Sequence, residues 1–254
     1  MLIDKTVLVT GASSGIGEAC ARRFAERGAR VLLCARRLDR VAALAAELAG
    51  AGEAHAFALD VRDRAAVDAA VAALPPQWQA VDILVNNAGL AAGFGRLPDN
   101  DPDDWDRMLD TNVKGLLNVT RAVVPGMVAR GAGHVVNIGS VAGHETYPGG
   151  AVYCASKAAV DRITKGLRLD LLGTGVKVST VDPGLVETEF SLVRFRGDAE
   201  FAARVYEGMT PLTADDVAET VVWVADRPAH VQVAEVLLFP ADQAAATAVH
   251  RRHS

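Results

Sequence analysis

The chain has 254 residues, half of them hydrophobic and 22% charged, and a net charge of −5. That composition can fill a substantial core and carries no basic surface of the kind that binds nucleic acid. No apolar run reaches the ~18 residues of a membrane span, and the leading MLIDK lacks a signal peptide's apolar stretch. The three cysteines, Cys20, Cys34 and Cys154, have no paired spacing, which argues against a disulfide framework and fits a reducing, cytoplasmic setting.

In chain order, residues 6–10 are β-rich and apolar, as a buried parallel strand requires. Gly11, Gly15 and Gly17 follow, then a helical pattern to about residue 27, Gly28 at its C-terminal end, and a second strand over 30–35. The glycine spacing is Gly-x-x-x-Gly-x-Gly rather than the better-known Gly-x-Gly-x-x-Gly. Between a strand and a helix it lets the backbone approach a pyrophosphate, whose charge the helix N-terminus favours. A plain tight connection is the alternative.

Arg36 and Arg37 stand just past the second strand. They read either as planar forks for a 2′-phosphate or as two solvated arginines. Further strands fall over 54–59, 81–86, 133–139, 176–182 and 235–239, separated by Ala-rich amphipathic helices. A helical segment over 103–129 is expected to kink near Asn112.

No Ser-, Pro- or Gly-rich linker interrupts the alternation, so residues 1–254 read as one α/β domain, a doubly wound parallel sheet. Ligands of such sheets sit beyond the carboxyl ends of the strands. Gly11, Arg36, Asp60, Asn87, Ser140 and Pro183 all fall there. Asp60 has a second reading, as the cap of the helix that follows.

Tyr153 and Lys157 lie one helical turn apart, and Ser140 lies thirteen residues upstream of the tyrosine. A neighbouring ammonium should pull the phenol down from its ordinary value near 10, giving the proton donor and acceptor that alcohol–carbonyl interconversion needs. Ser140 can hold the same substrate oxygen. Cys154 is turned about 100° from Tyr153 along the helix and reads as packing.

His144, between Ser140 and Tyr153, is either a substrate-pocket residue or an exposed loop histidine; Tyr147 is a further substrate-side candidate. Residues 189–209 exceed what a plain connection needs and read as a flap, with Phe190, Leu192, Val193 and Phe195 as lining candidates. Within it Arg194 is a candidate for pairing a substrate carboxylate, with Arg196 as its rival. No metal-ligand spacing is present; His250 and His253 are merely three apart in a polar tail.

TGASSGIG at 10–17, NNAG at 86–89, Asn112, Ser140, Tyr153, Lys157 and PGLVET at 183–188 resemble the short-chain dehydrogenase/reductase family along nearly the whole chain. The segments DILVNNAGLA, WDRMLDTNVKGL, TRAVVPGMV and FSLVRFRGD, and the ending AVHRR, resemble its NADP-dependent 3-hydroxy acid (serine/allo-threonine) dehydrogenase branch. The residues HET at 144–146 depart from that branch and keep a broader carbonyl, 3-oxoacyl or secondary-metabolite reductase open as an alternative.

The resemblance implies a homotetramer acting on a small molecule. It assigns the cofactor to Gly11, Ser13, Ser14, Gly15, Ile16 and Gly17, to Asp60 and Val61 at the adenine, and to Asn87, Ala88 and Gly89 in the cleft. It further assigns Pro183, Gly184, Val186 and Thr188 toward the nicotinamide end, with Lys157 on the ribose and Asn112 holding a water that links Lys157 to solvent. NAD-preferring relatives have an acidic residue at the end of the second strand; Ala35 stands there, which with Arg36 and Arg37 implies NADP.

Overall fold

The computed structural model describes residues 2–50 and 52–252; Met1 and His253, which entered the sequence reading, lie outside them. Seven parallel strands form one sheet among the described residues: β1 (Thr6–Thr10), β2 (Arg30–Ala35), β3 (Ala54–Ala58), β4 (Ile83–Asn86), β5 (Gly133–Ile138), β6 (Val176–Pro183) and β7 (Glu235–Leu238). Their order is β3-β2-β1-β4-β5-β6-β7. The chain winds outward from β1 to β3, then returns to lay β4 against the other side of β1. That reversal leaves a crevice at the carboxyl ends of β1 and β4, where doubly wound sheets bind ligands.

Helices cover both faces: α1 (Gly15–Glu26), α2 (Leu38–Leu48), α3 (Arg64–Ala72), α4 (Pro102–Leu109), α5 (Leu116–Arg130), α6 (Ala151–Asp170), α7 (Glu189–Arg194), α8 (Ala199–Arg204) and α9 (Ala214–Ala225). Alternate side chains of β1 divide between two cores. Val7 and Val9 pack with Phe24 of α1, Val41 of α2 and Val221 of α9. Leu8 points the other way, to Val67 of α3, Val119 and Met127 of α5, and Leu84 of β4. Phe24 is fully buried, and burying such a side chain contributes about 1.5–3 kcal/mol.

The expected break near Asn112 is a π-helical turn, Asp110–Gly115, between α4 and α5. An inserted turn of that kind bends a helix and is frequent at functional sites. Among the described residues no helix is long and apolar enough to cross a membrane. The three cysteines are buried free thiols, and Cys154 packs in a small apolar cluster with Leu90, Met108 and Tyr153.

Candidate active site

The carboxyl ends of the strands open onto a cavity of about 830 Å³ that runs from the glycine turn to the segment after β6. At one end, Gly11 and Gly15 take φ of 66° and 56°, a region L side chains avoid. A Cβ on Gly11 would come within 2.9 Å of the Ala88 Cα, so only glycine lets β1 and the turn after β4 approach this closely. Asn87 stitches the two together: its amide donates to the Thr10 and Gly11 carbonyls at 2.9 and 3.2 Å, while Thr10 Oγ1 accepts from the backbone of Asn87 and Ala88.

Ser14 is the N-cap residue of α1, yet its side chain makes no capping bond; its hydroxyl accepts from Arg37 instead, at 2.8 Å. The start of α1 therefore faces the cavity with no side-chain acceptor of its own, an arrangement that suits an anion.

The two arginines after β2 differ. Arg37 is engaged with Ser13 and Ser14 and with Glu189, at 3.1 Å, on the far side of the cleft. Arg36 lines the cavity and, among the described residues, makes no hydrogen bond or ion pair. Asp60 and Val61 line the adjoining wall. Asp60 is not the cap of α3; that is Asp63, which accepts from Ala66 N. Asp60 accepts from Arg62 instead, and this bond holds its carboxyl below the usual range.

At the other end Ser140, Tyr153 and Lys157 converge. Ser140 caps the short turn Val141–Gly143, its hydroxyl accepting from Ala142 N at 3.1 Å and donating to the Pro183 carbonyl at 3.4 Å, and it lines the cavity together with Tyr153. Burial pushes the Tyr153 phenol well above its ordinary value; the Ser140 hydroxyl and the Arg194 charge work the other way. The Lys157 ammonium, one helical turn from Tyr153, is buried and donates to the Ile138 carbonyl at 2.8 Å. Burial pushes Lys157 down to about 8, opposed by the negative charge of Asp182.

Ser13, Ile16, Asn87, Ala88, Gly89, Pro183, Gly184, Val186 and Thr188 also line the cavity. Three of the residues assigned to catalysis, cofactor or substrate in the sequence do not. Gly17 packs α1 against Asn87 and the Gly11 carbonyl, filling the place a Cβ would need. Asn112 is buried with its amide spent on the Leu90 backbone, at 2.8 Å both ways, and on Ser156 Oγ at 3.0 Å. Its side chain thus positions the wall behind Lys157. His144 is turned away from the cavity, its Nε2 lying 3.0 Å from Asp182.

The segment after β6 closes the cavity with α7 and α8. Phe190, Val193 and Phe195 line it, whereas Leu192 does not; Leu192 and Val193 are both exposed. Arg194 enters it, its guanidinium donating to the Tyr147 hydroxyl at 2.9 Å and lying 5.0, 5.3 and 5.8 Å from the rings of Phe94, Tyr147 and Tyr153. Its Nε is buried without a partner, and among the described residues no carboxylate pairs with it. Arg196, with φ of 55°, instead pairs with Asp104 and Asp101 outside the cavity.

The sequence reading missed Phe94, and it missed Thr247, Val249 and Arg251 of the C-terminal tail, which also line the cavity. Phe94 had a signal, a lone aromatic in the Gly- and Ala-rich stretch after β4. The tail's ending AVHRR carried only the branch resemblance, with no pointer to the cavity.

A doubly wound sheet with an uncapped glycine turn at its switch point, facing a serine–tyrosine pair, defines a dinucleotide-dependent oxidoreductase acting on hydroxyl or carbonyl groups. The short chain dehydrogenase family model matches residues 5–197, and the chain belongs to that family. It is 52% identical over 248 residues to the NADP-dependent 3-hydroxy acid dehydrogenase YdfG of Salmonella typhi, covering 96% of this chain and 99% of that one. It is 47% identical to the serine 3-dehydrogenase of Agrobacterium fabrum over 239 residues, 94% of each chain. A solved structure described as the closed form of serine dehydrogenase complexed with NADP+ superposes with a TM-score of 0.92 at 46% identity, covering 98% of this chain and 100% of that one.

Proposed function

We propose that this chain interconverts a small 3-hydroxy acid and the matching 3-oxo acid, with NADP as hydride carrier and Tyr153 as the acid and base. The observation that carries the substrate class is Arg194. A guanidinium enclosed by aromatic rings, with a buried, unpartnered Nε and no carboxylate beside it, is costly unless the substrate completes it. A carboxylate matches its fork in a two-point contact.

The uncapped start of α1, Arg36, and the Gly11–Ala88 approach suit the phosphates and ribose of NADP. Bound there, the nicotinamide supplies the hydride for reduction or accepts it in oxidation. The protein's residues do the rest. Ser140 holds the substrate oxygen, and Tyr153 gives its hydroxyl proton to that oxygen in reduction or takes one in oxidation. The buried phenol is protonated in the free protein, which prepares it as a donor. Lys157 places a positive charge behind the cleft and Asn112 fixes the wall around it.

The test is a substrate panel with NADPH and NADP: serine, allo-threonine, 3-hydroxypropionate, 3-hydroxyisobutyrate and neutral aldehydes. Sulfoacetaldehyde belongs in it, because a Chromohalobacter salexigens relative, 50% identical over 239 residues and matched over 94% of this chain and 95% of its own, bears the name sulfoacetaldehyde reductase 2. Arg194→Met keeps the cavity filled and removes the charge. It should raise KM for serine or 3-hydroxypropionate by about tenfold or more, as loss of one charged contact implies, and leave a neutral aldehyde nearly unaffected. Equal losses on acidic and neutral substrates would reject the carboxylate role. Activity confined to neutral carbonyls would favour the broader reductase.

The quaternary state belongs to the same proposal. Leu109, Leu117 and Val128 of the α4–α5 segment and Leu169 of α6 are solvent-exposed, Leu169 to 75%. Helices apolar on a second face need a second covering surface. Light scattering should report a homotetramer at micromolar concentration; a monomer would refute this.

A further inference from the structure

Lys157 poses an electrostatic problem that the catalytic residues do not solve. Its ammonium is buried, its hydrogen bond goes to the neutral Ile138 carbonyl, and among the described residues no carboxylate lies within ion-pair distance of it. A buried cation needs an opposing charge nearby. A candidate lies on the adjacent strand. Ile138 of β5 is in register with Val181 of β6, and Asp182 follows. The Asp182 carboxylate lies directly over Gly139, where it fills the place a side chain at that position would take. This carboxylate is almost fully enclosed, with 2% of its side chain exposed.

Two donors hold it. Thr180 Oγ1 donates to its Oδ1 at 2.7 Å and His144 Nε2 lies 3.0 Å from its Oδ2. Facing an ionised carboxylate, Nε2 is the nitrogen that carries the proton. Burial pushes the Asp182 carboxyl up, and the Thr180 and His144 bonds counter it. His144 itself ends the Val141–Gly143 turn that Ser140 begins.

Resting on the Lys157 assignment made above, we propose that Asp182, held ionised by Thr180 and His144, is a positioning residue whose charge keeps Lys157 protonated. The remaining charged groups around it do not substitute. Glu235 of β7 lies 3.6 Å from His144 Nδ1, and its other oxygen pairs with Lys165 at 3.2 Å. Lys165 in turn holds Asp161 at 2.6 Å. Arg194 and Tyr153 face the cavity, and Arg194 carries a charge of the wrong sign. This chain's departure at HET thus takes on a role: His144 serves the site through Asp182, without touching substrate.

The readout is the pH profile of NADPH-dependent reduction. With Lys157 near 8, activity should fall along an alkaline limb that begins there. Removing an opposing negative charge lowers an ammonium's pKa, so Asp182→Asn should move that limb down by about one pH unit. Asparagine is isosteric and can still accept from Thr180. His144→Leu should move the limb the same way, because the Asp182 carboxylate loses a donor that holds it over Gly139. His144→Gln, whose amide nitrogen can occupy the position of Nε2, should restore it.

A role confined to packing would lower stability or kcat at all pH values without moving the limb. A wild-type limb that stays fixed in Asp182→Asn and His144→Leu would overturn the proposal and leave the Lys157 assignment standing. Absence of an alkaline limb in the wild type would sink both. Should Asp182→Asn fail to fold, His144→Leu with its glutamine rescue carries the test alone.

Discussion

Tyr153→Phe should reduce turnover by about 10²–10⁴-fold, the usual worth of a general acid–base group, while NADPH binds nearly as before. The substitution removes only the hydroxyl. The ring stays packed in its apolar cluster, edge-on to Phe190 with centroids 5.6 Å apart, so the cavity keeps its shape. What is lost is the phenolic proton that would pass to the substrate oxygen. Steady-state kinetics paired with a fluorescence titration of NADPH separate chemistry from binding. A variant that retained more than about a tenth of wild-type activity would mean the proton comes from elsewhere.

The sequence made the sheet legible because most strands are short apolar runs, several of them closed by glycine, asparagine or proline as at Gly11, Asn86, Gly139 and Pro183, and because sites of this fold gather at strand ends. The glycine turn, Asn87, Ser140 and Tyr153 could be placed from position along the chain alone. Side-chain direction could not. His144 lies between two site residues in sequence, yet Asp182, on a different strand, draws its ring out of the cavity.

Lys157 shows the same limit. Helical spacing puts it on the face of Tyr153, but only the tertiary structure shows its ammonium donating to the Ile138 carbonyl and a second cation, Arg194 of the segment after β6, lying 5.8 Å from the Tyr153 ring. In that segment the helical pattern could not separate Val193, which lines the cavity, from Leu192, which does not. The segment is tied to the loop after β4, whose Gly93 N donates to the Arg194 carbonyl at 3.1 Å. Each miss is a tertiary contact overriding a local pattern.

Arg36→Ala should weaken NADPH binding by roughly tenfold to a hundredfold and leave NADH binding nearly unchanged. The argument turns on the difference between two adjacent arginines. Arg37 is committed to Ser13, Ser14 and Glu189, so it braces the phosphate turn and ties it to α7. Arg36 has no such commitment and sits beside Ala35, where no side-chain carboxylate opposes a second phosphate. A hydrogen bond to a charged group contributes about 1.5–3 kcal/mol, and that range converts to the loss given above.

Arg36 is exposed, so added salt should screen the contact and shrink the preference for NADPH. Arg37→Ala provides the contrast. It should weaken both cofactors together, because it loosens the turn that holds the part they share. Isothermal titration of both cofactors against both variants, at low and high salt, checks the pattern. Equal losses of NADPH and NADH in Arg36→Ala would show that Arg36 shapes the loop and does not read the phosphate.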